Sequence, residues 1–121
     1  METKKQLSKK QLELLKKEID LQLELRCIKV ETTLTHKEDR LVLTSTKFQT
    51  VPMLHTNLSI TEFGGATLYE DSEKPDMLHI SIRVHANYDG NGVSLFTVIA
   101  SVSKDDKESL WIKQVINDIS R

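Results

Sequence analysis

Between Met77 and Ser103 the chain reads M-L-H-I-S-I-R-V-H-A-N-Y-D-G-N-G-V-S-L-F-T-V-I-A-S-V-S, and no other stretch restricts the fold as much. Two apolar runs flank Ala86-Asn87-Tyr88-Asp89-Gly90-Asn91-Gly92, a segment rich in turn-forming residues, so the spacing predicts a long β-hairpin. In its first strand Leu78, Ile80, Ile82 and Val84 point to one face and His79, Ser81, Arg83 and His85 to the other. The second strand puts Phe96, Val98, Ala100 and Val102 on one face, with Leu95 and Ile99 on the other. Apolar groups on both sides mark a central strand whose outer face is covered by a second layer or a partner.

Around this hairpin the remaining elements follow in order. Ser8 and Gln11 have capping-box spacing, with Leu7 and Leu12 placed as a hydrophobic staple. An amphipathic helix is expected over residues 9–20, with Leu12, Leu15 and Ile19 inward and the basic face Lys9, Lys10, Lys16 and Lys17 outward around Glu13. Beyond Ile19 a helix would displace Leu21 and Leu25 from the apolar side. Period two accommodates them, so a strand from Leu21 is expected, with a bulge near Arg26 or Cys27 and renewed alternation at Ile28, Val30, Thr32 and Leu34. The alternative is a helix running on to Leu25, which leucine and glutamate propensities favour.

His36 to Asp39 reads as a turn, Arg40 to Lys47 as a strand, and Met53 to Phe63 as another following Val51-Pro52. Phe63-Gly64-Gly65-Ala66 predicts a reversal into a short strand at Thr67 to Glu70, and Asp71 to Asp76 a projecting loop. Ser103 suits a helix cap. Asp105, Asp106 and Glu108 would fill the first turn, and Ile112, Val115, Ile116 and Ile119 form a helical stripe with Trp111 beside it.

The expected fold is therefore α+β. It comprises an antiparallel meander sheet of about five or six strands over residues 21–103, an N-terminal amphipathic helix, and a C-terminal helix over 104–121 packed on the sheet. Residues 1–8 are expected to be flexible, and 121 residues suffice for one domain. A hydrophobic content of 38% with few aromatics makes a thin core, which favours a homo-oligomer, in the simplest case a homodimer.

Charge and cysteine usage narrow the function classes. Net charge is −1, yet residues 1–17 hold six lysines against Glu2 and Glu13, so the basic end is local. Nucleic acid could bind that helix, but Tyr69, Tyr88 and Trp111, which would stack bases, lie elsewhere. Cys27 stands alone, which excludes an internal disulfide, and is read as a small buried apolar residue. No apolar run is long enough for a membrane span or a secretory leader. A cytoplasmic protein, encoded by a cell or by a virus acting inside one, is the expectation.

Catalytic and metal motifs are incomplete. Asn87 to Gly92 matches the front half of a calcium loop, but Val98 occupies the position of the closing glutamate. His79-Ile80-Ser81 resembles one half of the paired signature of 2H phosphoesterases, and none of His36-Lys37-Glu38, His55-Thr56-Asn57 or His85-Ala86-Asn87 supplies the other. His79 and His85 on one strand face lie about 20 Å apart, too far to share an ion. Neither catalytic nor metal-ligating residues, nor a cofactor, are expected. His79, Ser81, Arg83, His85 and Trp111 are the candidate binding residues, Arg83 as a carboxylate or phosphate partner; Trp111 is read as core packing of the closing helix or, if exposed, as an interface anchor.

A non-catalytic protein-binding module follows from these readings. Chains of this kind occur among phage and mobile-element accessory proteins, inhibitors and specialised chaperones. The alternative is a small-molecule pocket, with His79, Arg83 and His85 as ligand contacts or acid/base groups.

Overall fold

The computed structural model describes residues 6–26, 28, 31–37, 40–45, 48–51, 56–59, 62–88 and 91–118. Lys9–Leu25 forms the helix α1. It begins as the sequence predicts: Ser8 Oγ accepts from the Gln11 amide at 3.1 Å while the Ser8 amide donates to Gln11 Oε1 at 2.9 Å.

It ends later than expected, and the strand predicted from Leu21 is helix. Leu15, Ile19 and Leu23, each one turn after the last, are buried on the sheet, and each contributes about 1.5–3 kcal/mol by burial. Beside them Gln22 Nε2 donates to Glu18 Oε2 at 2.7 Å and Arg26 Nη1 to the Gln22 carbonyl at 2.9 Å, which satisfies the last turn. The consequence is that Leu21 and Leu25 stand 47% and 67% exposed. Cys27 lies outside the described residues.

The strands are β1 (Thr32–Lys37), β2 (Arg40–Ser45), β3 (Phe48–Val51), β4 (Thr56–Ser59), β5 (Glu62–Asp71), β6 (Lys74–Tyr88), β7 (Asn91–Ser103) and β8 (Trp111–Asn117). All their pairings are antiparallel. β1, β2, β5, β6, β7 and β8 lie side by side in that order, a meander interrupted by the β3–β4 hairpin, whose β4 pairs with the far end of β6. Where a single strand is expected over Met53 to Phe63, the described residues form β4 and the start of β5.

Gly64-Gly65 does not reverse the chain but lies within β5, next to a register shift opposite Leu43 and Thr44. A Cβ on Gly65 would lie 3.4 Å from the Arg40 guanidinium and 3.5 Å from the Leu41 carbonyl, ordinary contact distances, so neither neighbour requires a glycine there. The loop expected over Asp71 to Asp76 is a tight turn at Ser72 and Glu73, with Asp71 already paired to Lys74.

No C-terminal helix forms over 104–121 among the described residues; Trp111–Asn117 is an edge strand on β7. Ile99 pairs with Gln114 and Ala100 with Ile112, leaving Lys113 as an extra residue. Because of this bulge Ile112 and Val115, three apart, both pack on the core, and a helical stripe is mimicked by a strand. Asp105, Asp106 and Glu108 lie in the loop ahead of it rather than in a first helical turn. A second bulge corrects the facing in β7. Val84 pairs with Phe96 and His85 with Ser94, so Leu95 is the extra residue, and it is buried together with Phe96.

Both edges of the sheet reach α1. From β1, Thr32 Oγ1 donates to Asp20 at 2.7 Å and His36 Nδ1 accepts the Leu7 amide at 3.3 Å. On the β8 side, Gln11 Nε2 donates to the Asp106 and Ser109 carbonyls at 2.8 and 3.2 Å, and Arg26 to Asn117 at 3.4 Å. Six flat strands would span about 24 Å against about 10 Å for a helix, so the sheet is curved around α1. Its concave face, with Leu41, Leu43, Leu68, Leu78, Ile80, Ile82, Val84, Phe96 and Val98, forms the core with the helix.

Candidate functional site

The convex face is not covered by α1, the single helix among the described residues. Register fixes what it presents. Tyr69 of β5 is opposite His79 of β6, His79 opposite Ser101 of β7, and Ser101 opposite Trp111 of β8. Three strand spacings of about 4.8 Å put the outer two about 14 Å apart. Tyr69 is 45% exposed and Trp111 46%, whereas Ser101 between them is 0% exposed. The Tyr69 and His79 rings lie 5.4 Å apart, tilted by 32°.

Two buried polar atoms in this row, His79 Nε2 and Ser101 Oγ, have no hydrogen-bond partner among the described residues. A group left in that state costs about 1–3 kcal/mol, and a folded protein retains few of them. Here they sit side by side between two exposed aromatic rings.

A second row lies four residues further along β6. Gly65, Arg83, Thr97 and Ile116 are opposite one another in turn, and Ser81, Ile99 and Gln114 form the row between. Ser81, Arg83 and His85 are exposed. The Asp118 carboxylate on this face is occupied, accepting from Ser94 and Thr97 hydroxyls at 3.0 Å each. The face therefore carries Arg83 and the Asp118 carboxylate, which keeps its charge while accepting these bonds, together with several hydroxyls.

All five residues predicted for binding lie on this one surface: His79, Ser81, Arg83 and His85 along β6, and Trp111 two strands away. Trp111 arrives there by the strand that replaces the expected helix. Tyr69 and Ser101 were not predicted. Ser101 could have been found by pairing the hairpin, but the bulge at Leu95 moves it into line with His79, and no sequence signal marks that bulge. No hydroxyl–imidazole hydrogen bond lies on the face among the described residues, and no group of three metal-ligating side chains is found there or elsewhere among them. Asp89 and Gly90 of the calcium-like loop lie outside the described residues.

Two grooves lie away from this face. One, of about 540 Å³, runs beside the start of α1 over Leu7, Gln11, Leu78 and Val102, with Glu70 and Lys104 ion-paired at its rim. The other, of about 550 Å³, separates α1 from β8 and is floored by Leu14, Leu21, Leu110 and Ile112. His79, Arg83 and His85 line neither. On the helix Lys9, Lys10 and Lys17 are exposed, while Lys16 is paired with Asp20 at 2.6 Å. No helix among the described residues is long and apolar enough to cross a membrane. Comparison with protein-family models, curated proteins and solved structures yields no match.

Proposed function

We propose that the protein is a non-catalytic binding module acting inside the cell, and that the convex sheet face is where it holds a protein partner. The observation that carries this reading is the row Tyr69–His79–Ser101–Trp111, in which two unpartnered buried polar atoms lie between two exposed aromatics. Aromatic side chains and arginine supply most of the energy at protein interfaces, and Arg83 lies four residues from His79 on the same face. Exposed Arg83 suits a partner segment that brings an acidic group, and the unpartnered atoms of His79 and Ser101 suit one that brings hydrogen-bonding groups. An inhibitor or accessory role in a phage or mobile element is compatible with this reading.

Affinity capture from the cells that produce the protein, with wild type and Arg83→Glu compared, tests it. A specific protein recovered by wild type and lost with Arg83→Glu supports the reading; recovery of the same protein by both refutes it. Neither of the two grooves described above includes His79 or Arg83, so neither supports a pocket enclosing them.

Single-stranded nucleic acid is the second reading. Exposed Tyr69 and Trp111, with Arg83 four residues from their row on the same face, give the sheet the stacking groups that the lysine face of α1 lacks together with a cation. Binding in a gel shift at low salt, falling steeply as salt rises and weakened by Trp111→Ala, would establish it in place of the first.

A further inference from the structure

Along the flank of α1 that faces β8, apolar side chains stand exposed among the described residues. Leu14 and Leu21 lie two turns apart on that flank, with Leu25 one turn further. Leu21 and Leu25 are 47% and 67% exposed, and the groove beside them continues onto Leu110 and Ile112. β8 pairs with β7 alone among the described residues, so the apolar strip borders an open sheet edge.

Charge along the same flank is divided. Lys10 and Lys17 stand toward the N-terminal end, and Glu18 and Glu24 toward the C-terminal end. Glu18 is held in place by the Gln22 amide at 2.7 Å. We infer that this flank is a self-association surface, on which α1 of a second copy lies antiparallel in the groove between α1 and β8. A two-fold axis between residues 17 and 18 brings Leu14 of each copy against Leu21 of the other. It also sets Lys17 against Glu18, and Lys10 near Glu24, each twice. A parallel arrangement would oppose Lys17 to Lys17 and Glu24 to Glu24, so the charges select the antiparallel one. This surface is separate from the convex face, and the inference does not depend on the function proposed for that face.

Sedimentation equilibrium of the full chain over a concentration series tests the pairing. Wild type is expected to be a dimer. Lys17→Glu alone should weaken self-association by about tenfold or more, since it turns two attractions into repulsions. Glu18→Lys alone should do the same, and the double variant Lys17→Glu/Glu18→Lys should restore the dimer. Leu21→Glu should give a monomer whose circular dichroism matches wild type, because Leu21 contributes little to the monomer core. Wild type that stays monomeric at all concentrations would overturn the inference. So would a dimer indifferent to both charge reversals, or a double variant no tighter than either single one; these outcomes hold even if Leu21→Glu fails to fold.

Discussion

Individual side chains hold the ends of this fold together. Arg26 does several things at once: its guanidinium lies 4.5 Å over the Phe96 ring, caps the Gln22 carbonyl and reaches Asn117. Burial pulls its pKa down and Asp118 pushes it back up. At the other end of α1, Asp106 organises the loop that Gln11 and Ser8 bind. Its carboxylate accepts from the Ser109 hydroxyl at 2.6 Å and from the Glu108 amide at 3.0 Å. These bonds, the Ser109 one foremost, hold its pKa below the usual carboxylate value. A pKa depressed by folding stabilises the folded state above the unfolded pKa, and that contribution is lost as pH falls through the folded one. Ser109→Ala is therefore expected to raise the Asp106 midpoint toward the ordinary value, read by NMR titration of the side-chain carboxyl. A midpoint unmoved by the substitution would show that the hydroxyl is not its main determinant.

At the scale of elements, what was legible followed from uninterrupted period. The α1 start, the β6–β7 hairpin and the facing of Leu78, Ile80, Ile82 and Val84 all conform to the sequence reading, because capping chemistry and strict alternation are local signals. Three of the errors lie at a bulge or register shift, which alters local periodicity for a reason lying on another strand. Lys113 disguised β8 as a helix, Leu95 seemed to face outward, and Gly64-Gly65 looked like a turn although it lies within β5 beside a register shift. The end of α1 was misread differently. Exposed Leu21 and Leu25 break the rule that leucines turn inward, and Leu23 alone carries the apolar stripe onward. Substitutions separate the inward from the outward positions. Ile19→Ala should cost about 2–5 kcal/mol in chemical denaturation, and Trp111→Ala about 1 kcal/mol or less, since the ring is half exposed on an edge strand. A Trp111 cost equal to that of Ile19 would return the indole to the core, where the helical reading had put it.

For the whole molecule, the meander order was legible because short polar connections leave little choice but antiparallel neighbours. Curvature was not, since it depends on both edge strands bonding to α1 across the full chain. That curvature divides the surface in two: a convex sheet face carrying the row from Tyr69 to Trp111, and a helix flank with exposed leucines. The central claim is that the convex face is the partner-binding one. Site-specific photo-crosslinking within the producing cells tests it most directly, with a photoreactive residue placed at Trp111, at Ser81, or at Glu13 on the outward side of α1. Adducts to one other protein from positions 111 and 81, and none from 13, are predicted. Adducts from 13 alone, or from none of the three, would contradict the account.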